Sequence, residues 1–303
     1  VDPLAGIAVG LMLVAFGFKV GAAPFHLAAP DAYAGASSPV AGLLATASKA
    51  MGFVALMRIL VSVTMPLEGQ AFWYTAIALI AVVTMTWGNL AALTSDNPKR
   101  MLAYSSVSHA GYMLAGLAAI GSGLASQAAT ELVLTAIVFH LAVLVIFKFG
   151  AFLVLSLLET EDKGHRLEDL HGLARRDPLV AGSMFLFMLS LAGVPPLSGF
   201  LSKFLMINGI VNISAGTGAS DATSVMDWLT SVEPVFWLAF AIVINSALSM
   251  FYYLRIGLVM FFEESVESRD LKDAFSLRMA ILTCAILTVI VGIGPLSESL
   301  IDM

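Results

Sequence analysis

The chain has 303 residues, of which 59% are hydrophobic and only 12% are charged, and its formal net charge is −6. Soluble domains usually carry about twice this charged fraction, so the composition excludes an ordinary soluble domain and indicates a membrane protein. The single cysteine, Cys284, excludes a disulfide framework and a cysteine-ligated metal site.

The hydrophobic residues fall into eight segments, and a membrane span needs about 20 apolar residues. Segments of this length exclude a membrane β-barrel, whose strands have about ten residues and alternate in polarity. We therefore predict an all-α, polytopic membrane helical bundle with about eight transmembrane helices. The predicted spans are 4–24, 39–65, 71–95, 101–121, 130–158, 178–211, 232–262 and 275–297.

The loops between these segments differ in charge. If each segment crosses once, four loops lie on one side: 25–38, 96–100, 159–177 and 263–274. They contain eight basic residues: Lys99, Arg100, Lys163, Arg166, Arg175, Arg176, Arg269 and Lys272. The loops on the other side and the C-terminal tail contain no Lys or Arg. Because positive charges are enriched in cytoplasmic loops, we predict a protein of the cell (inner or plasma) membrane with cytoplasmic basic loops and an exoplasmic C-terminus.

Four lysines lie inside the predicted spans: Lys19, Lys49, Lys148 and Lys203. A charged lysine at the bilayer centre costs about 2.5–3.5 kcal/mol on insertion scales. No Asp or Glu lies deep in any span, and an amine buried without an acid loses part of its preference for the charged form. We therefore predict that these lysines belong to a proton path. Acidic partners in missing helices or neighbouring subunits are the other functional reading, and snorkelling of Lys148 and Lys203 is the structural alternative.

Two histidines accompany the lysines. His109 ends the polar run Ser105-Ser106-Val107-Ser108-His109, and His140 precedes Lys148 by eight residues. Eight residues of helix span about 12 Å, so water could link His140 to Lys148. We include both histidines in the predicted proton path, with interhelical hydrogen bonding as the alternative. Their spacing does not match a metal site, and no metal is expected.

Helix breakers interrupt two of the predicted spans. Pro24 and Pro30 follow Lys19, while Gly193-Val194-Pro195-Pro196 precedes Lys203. Proline removes a backbone donor and clashes with the preceding turn, and irregular backbone at membrane depth is tolerated only against protein or a wet cavity. Broken helices in both halves of an inverted repeat mark ion sites in transporters, and these two breaks lie in segments of opposite direction.

Further sequence blocks surround these residues and run through almost the whole chain. They are Phe18-Lys19, Pro24-Phe25-His26, Pro30-Asp31-Ala32-Tyr33, Ser38-Pro39-Val40, Ala47-Ser48-Lys49, Asn97-Pro98-Lys99-Arg100, Tyr104-Ser105-Ser106, His109-Ala110-Gly111-Tyr112, Gly172-Leu173-Ala174-Arg175-Arg176, Gly199-Phe200, Lys203-Phe204 and Tyr252-Tyr253-Leu254-Arg255. Together with the two breaks, these blocks resemble the antiporter-like proton-pumping subunits of respiratory complex I.

The resemblance implies a fold of two inverted five-helix repeats, each with one broken helix. Residues 1–65 would form the end of an incomplete first repeat, 71–262 the second repeat, and 275–297 a C-terminal helix. Members of this family have more helices than the eight predicted here, so we expect the chain to be the C-terminal portion of a longer protein. The missing helices would supply a membrane glutamate that pairs with Lys19.

The resemblance also implies roles for individual residues. Lys19 matches the broken-helix lysine of the first half-channel, and Lys49 matches the lysine on the next helix, toward the channel junction. Lys203 matches the terminal lysine that exchanges protons with the outside. Lys148 and His140 are similar to residues of the sister subunits, His140 with a different spacing.

We therefore predict a proton-translocating membrane subunit of a complex I-type NADH:quinone oxidoreductase, with no redox chemistry in this chain. No GxGxxG, four-cysteine or haem motif occurs, so quinone, flavin and Fe–S clusters are expected in partner subunits only. The expected partners are other membrane subunits, especially sister antiporter-like subunits, the bilayer and protons, and no nucleic acid. A subunit of a multisubunit Na⁺/H⁺ antiporter and a purely structural scaffold are the alternatives.

Overall fold

A computed structural model of the protein describes residues 3–64, 71–214, 233–264, 271 and 274–293. Within these residues the chain forms helices and no strand, so the all-α prediction is confirmed. Most of the predicted loops 66–70, 212–231 and 263–274, with Arg269 and Lys272, and the end of the last predicted span lie outside the described residues.

The first two predicted spans are each interrupted. The first, 4–24, contains α1 (Pro3–Val20) and the break that ends it, and the short helix α2 (Ala28–Gly35) lies within the predicted loop 25–38. The second begins as α3 (Ser38–Leu43), passes through a π-helical turn (Leu44–Ser48), and continues as α4 (Lys49–Ile59) to a second π-helical turn. A π-helical turn contains more residues per turn than an α-helix and frequently occurs at functional sites.

The remaining predicted spans are also helical. They form α5 (Ala71–Leu93), α6 (Pro98–Ile120), α7 (Gln127–Glu159), α9 (Pro178–Ala192), α10 (Ser198–Ser214), α11 (Phe236–Phe262) and α12 (Phe275–Ile293). The loop after α7 contains a 3₁₀ turn and the four-residue α8 (Leu173–Arg176). Among the described residues, five helices are long and apolar enough to cross a membrane, so this is a multi-pass membrane protein. The count of eight crossings and the division into repeats stay predictions.

Polar loop residues define where several helices begin. Asn97, Ser126 and Asp177 precede α6, α7 and α9. Each side chain accepts a hydrogen bond from the backbone N–H three residues later, at 3.0, 3.2 and 3.1 Å. Pro98 and Pro178 occupy the first helical position, where no backbone donor is needed. These caps satisfy N–H groups that the first turn of a helix otherwise leaves unpaired.

A layer of polar side chains divides the apolar core in two. Along α6, residues 101–103 belong to one apolar cluster and residues from Ala110 onward to the other, with the run Ser105–His109 between them. Lys49 likewise lies between the two clusters on α4, and Asn245 lies between them on α11. The helices therefore present their polar residues at one level, across the middle of the bundle.

Helix α7 is the central element of the fold. It has 33 residues and packs against α3, α6, α9, α10 and α12. Its buried side chains include His140 and Lys148. One long helix thus connects the elements of the predicted first repeat with those of the second.

Helices α5 and α6 pack closely against each other. A Cβ atom on Gly111 would lie 2.5 Å from the backbone N of Met85 and 2.8 Å from the carbonyl oxygen of Ala81. Small residues allow membrane helices to approach closely enough for extensive van der Waals contact. Glycine at position 111 is therefore required for this packing.

We expect Gly111→Ala to destabilise the folded protein by about 1–3 kcal/mol, because the added methyl group forces α5 and α6 apart. The measurement is thermal unfolding of the full-length protein in detergent. Gly182→Ala is the matched control, since a Cβ there meets no atom within 4 Å. Equal melting temperatures for the two variants would contradict the proposed packing constraint.

Candidate functional site

The two breaks in the helices have similar backbone geometry. Gly21 follows α1 with φ of +73°, and Gly193 follows α9 with φ of +87°. Glycine adopts this left-handed conformation without the steric cost that a Cβ would add. In each break a proline comes three residues later, Pro24 or Pro196. The prediction of two broken spans agrees with this geometry.

Each of these glycines lies beside a lysine amine. A Cβ atom on Gly21 would be 3.4 Å from Lys49 Nζ, and one on Gly193 would be 3.4 Å from Lys203 Nζ. The absent side chain therefore leaves room for an amine at each break. Lys49 comes from the following helix, α4, whereas Lys203 comes from α10, the second half of the same broken helix.

The carbonyl end of α9 holds the amine of Lys203. Lys203 Nζ donates hydrogen bonds to the carbonyl oxygens of Leu191 at 2.9 Å and Ala192 at 3.1 Å. The last carbonyls of a helix lack partners in their own helix and carry partial negative charge. The ring of Tyr112 lies 5.5 Å from the same nitrogen, within the range of a cation–π interaction. These contacts stabilise a charged lysine without a carboxylate.

Lys49 is held by a different kind of carbonyl. It is the first residue after the π-helical turn Leu44–Ser48. Its Nζ donates a hydrogen bond of 2.7 Å to the carbonyl oxygen of Ser106, in the middle of α6. The side chain is buried. The π-helical turn therefore lies directly before Lys49, whose side chain extends to α6.

The two predicted histidines form the centre of the site. His109 Nδ1 and His140 Nε2 are 2.9 Å apart, and their rings are stacked. His140 Nδ1 lies 2.8 Å from Ser202 Oγ, and His109 Nε2 lies 3.3 Å from Tyr253 Oη. Tyr253 Oη in turn lies 2.5 Å from Ser105 Oγ. A continuous hydrogen-bonded line thus crosses four helices.

The partners of His140 lie on other helices. Its two ring nitrogens are within hydrogen-bonding distance of His109 on α6 and Ser202 on α10. The water link from His140 to Lys148 stays a prediction. The sequence spacing within α7 gave no information about the partner on α6, which decides the hydrogen bond.

Lys148 is the buried amine without a protein acceptor. Its side chain is 0% exposed, and Nζ has no hydrogen-bond partner among the described residues. It interacts electrostatically with Lys49, Lys203 and His109. Lys148 and Lys203 are buried within the bundle rather than extended along its surface, so neither snorkels.

Lys19 is the exposed member of the predicted set. Its side chain is exposed on the outer surface of α1, and Nζ donates a 3.0 Å hydrogen bond to Ser48 Oγ. A Cβ atom on Gly52 would lie 2.8 Å from Lys19 Cγ, so the side chain runs closely along α4. The structure therefore gathers five of the six predicted residues, and Lys19 adjoins them through Ser48 and through a cavity of about 220 Å³ that Lys19 and Lys49 both line.

The sequence reasoning missed an amide pair beside the histidines. Asn89 on α5 donates from Nδ2 to the carbonyl oxygen of Asn245 at 2.8 Å and to its side-chain oxygen at 3.1 Å. Asn89 also donates to Tyr112 Oη at 3.2 Å and accepts from Tyr252 Oη at 3.1 Å. A lone amide in an apolar span was the available signal, because such groups commonly pair between membrane helices.

Gly193→Ala is expected to destabilise the protein by more than the backbone strain alone, which is about 1–2 kcal/mol. The added Cβ would also lie 3.3 Å from Lys203 Cδ and displace that side chain. Thermal unfolding of the full-length protein measures the effect. Gly123→Ala is the control, because Gly123 also has a positive φ but its Cβ would meet nothing within 4 Å. A control variant as unstable as Gly193→Ala would refute the contact.

No cluster of three or more His, Cys, Asp or Glu side chains suited to a metal occurs in the part of the chain that the structure describes. The arrangement instead consists of groups that gain, lose or pass protons: amines, imidazoles and hydroxyls. Its geometry suits proton transfer along hydrogen bonds.

Comparison with known sequences identifies similar proteins. Residues 3–230 match the family described as NADH:quinone oxidoreductase/Mrp antiporter, TM. NADH-quinone oxidoreductase subunit N of Heliobacterium modesticaldum is 37% identical over 299 residues, which are 98% of this chain and 57% of the relative. Subunit N 2 of Roseiflexus castenholzii is 40% identical over 296 residues, or 96% and 54% of the two chains. This chain spans a little over half the length of these relatives.

Solved structures have the same fold. A chain of respiratory complex I from Thermus thermophilus with bound aureothin superposes with a TM-score of 0.74 at 33% identity, covering 99% of this chain and 60% of that one. A chain of the Mrp complex from Dietzia sp. superposes with a TM-score of 0.78 at 23% identity, covering 99% and 58%. At this lower identity the second likeness concerns the fold alone.

Proposed function

This chain belongs to the NADH:quinone oxidoreductase/Mrp antiporter family of membrane proteins, and we propose that it translocates protons as a membrane subunit of a complex I-type NADH:quinone oxidoreductase. Relatives that are 35–40% identical bear the name NADH-quinone oxidoreductase subunit N, which supports this choice. The protein would contribute no redox chemistry. Its energy would come from quinone reduction in partner subunits that hold the flavin, the Fe–S clusters and the quinone.

The single observation that carries the proposal is the buried histidine pair, hydrogen-bonded between α6 and α7. A neutral imidazole has one N–H donor and one nitrogen acceptor. A proton taken up on one side of the pair is therefore released from the other side, along the hydrogen bond between His109 and His140. Lys203 lies next to Ser202 at one end of this line, and Lys49 contacts the carbonyl of Ser106 near the other.

Electrostatic repulsion would drive the steps of this transfer. Lys148, Lys49 and Lys203 are buried and interact electrostatically where screening by solvent is weak. A charge on either neighbour opposes a charge on Lys148, so arrival of one proton favours departure of another. Lys19, exposed on the outer face, would receive its acidic partner from another part of the protein or from another subunit.

The proposed setting follows the charges of the loops. We place the basic loops 96–100, 159–177 and 263–274 in the cytoplasm and the C-terminus outside the cell membrane, in accordance with the distribution of Lys and Arg. The proposed partners are sister antiporter-like membrane subunits and the lipid bilayer.

Lys49→Ala and Lys203→Ala are each expected to lower proton pumping per quinone reduced by about tenfold or more, because a positioned proton-transfer group is removed. The measurement compares proton uptake with quinone reduction in membrane vesicles that contain the assembled complex. Arg175→Ala, at an exposed loop position, serves as the control. Normal pumping by both lysine variants at normal assembly would support a purely structural scaffold instead.

The Mrp-type antiporter is the second candidate, because the family description includes it and the fold is shared. We expect proton translocation by this protein to proceed without Na⁺ and to stop when quinone reduction is inhibited. Vesicle assays in sodium-free buffer test this. Strict dependence on Na⁺, with no dependence on quinone reduction, would favour the antiporter.

A further inference from the structure

A carboxylate at the end of α7 holds the start of the helix that leads to Lys49. Glu159 Oε1 lies 2.7 Å from Lys99 Nζ and 2.7 Å from Ser38 Oγ, and Oε2 accepts the backbone N–H of Ser38 at 2.9 Å. Lys99 Nζ also donates to the carbonyl oxygen of Ala36 at 3.0 Å. We call these contacts among Ala36, Ser38, Lys99 and Glu159 the carboxylate clamp.

The clamp is shielded from solvent. The Lys99 side chain is 2% exposed and that of Glu159 18%, whereas the neighbouring pair of Arg100 and Asp31 is 46% and 73% exposed. An exposed ion pair contributes little to stability. Breaking a shielded pair that has additional hydrogen bonds costs more stability, because removal of one partner leaves the other charge buried and uncompensated.

The position of the clamp connects it to the candidate site. Ser38 is the first residue of α3, which leads through the π-helical turn to Lys49. Lys99 belongs to α6, which carries His109, and Glu159 belongs to α7, which carries His140 and Lys148. One carboxylate thus ties the Lys49 helix to the two helices that hold the histidine pair and Lys148.

We propose that Glu159 is a positioning residue, whose carboxylate fixes the start of α3 against α6 and α7 and thereby holds Lys49 in contact with the carbonyl of Ser106. This inference rests on the proposed function, because it assigns Glu159 a part in keeping the proton path aligned. Glu159 itself contacts neither of the histidines and carries no proton along the path.

The test uses Glu159→Gln in the full-length protein within the assembled complex. Glutamine keeps an oxygen that can accept from the Ser38 N–H, but it leaves the Lys99 ammonium buried without a counter-charge. We expect hydrogen–deuterium exchange of the segment 36–44 to accelerate by about tenfold. We also expect protons pumped per quinone reduced to fall severalfold while quinone reduction and assembly are preserved. Glu131→Gln, at the exposed opposite end of α7, is the matched control for both readouts.

A second variant separates lost charge pairing from general damage. Lys99→Met combined with Glu159→Gln removes both charges, so no buried charge remains unpaired. We expect slower exchange of the segment 36–44, and a higher pumping ratio, in this double variant than in Glu159→Gln alone. A double variant that is as impaired as the sum of its single variants would overturn the clamp, because independent sites add.

The outcome for the clamp is distinguishable from that for the proposed function. If Lys49→Ala and Lys203→Ala abolish pumping while Glu159→Gln changes neither exchange nor the pumping ratio, the inference about Glu159 is wrong and the proposed function stands. If Glu159→Gln accelerates exchange but pumping is normal in it and in both lysine variants, the proposed function fails, and with it the role given to Glu159.

Discussion

The burial of lysine amines without carboxylates is the constraint on which this structure depends. Lys49, Lys148 and Lys203 are buried, and none of them forms an ion pair with a described carboxylate. A charge in such a place needs other sources of negative potential. The fold supplies them as backbone carbonyls: the end of α9 for Lys203, and Ser106 in the middle of α6 for Lys49.

The two broken helices follow from this constraint. Each break ends a helix at a glycine whose missing side chain admits an amine. Lys203 binds the carbonyl end of α9, which the break before α10 creates, whereas Lys49 reaches the break at Gly21 from the neighbouring helix α4. The breaks therefore provide similar surroundings for two lysines whose positions relative to the break differ in the sequence. The histidine pair lies between α6 and α7 in the same polar layer.

The sequence predicted which residues are unusual better than it predicted which residues meet. A lysine, a histidine or a proline in an apolar span can be recognised from the amino-acid sequence alone, so the helices, both breaks and the buried amines were predictable. The contact of His109 with His140 joins different helices 31 residues apart, and that of Asn89 with Asn245 joins residues 156 apart. Such pairs depend on helix rotation and packing. Glu159 was unremarkable in sequence because it lies at the boundary between a span and a charged loop.

Lys148 offers the most direct test of the proposed proton path, since its buried amine has no hydrogen-bond partner among the described residues and interacts electrostatically with Lys49 and Lys203. An amine in that position needs water to join a proton path. A high-resolution cryo-electron-microscopy map of the complete complex would show the surroundings of Lys148 Nζ. The account predicts ordered water within hydrogen-bonding distance of this nitrogen, continuing toward Lys49 and the histidine pair. Apolar side chains packed against the nitrogen, with no water between these groups, would contradict it.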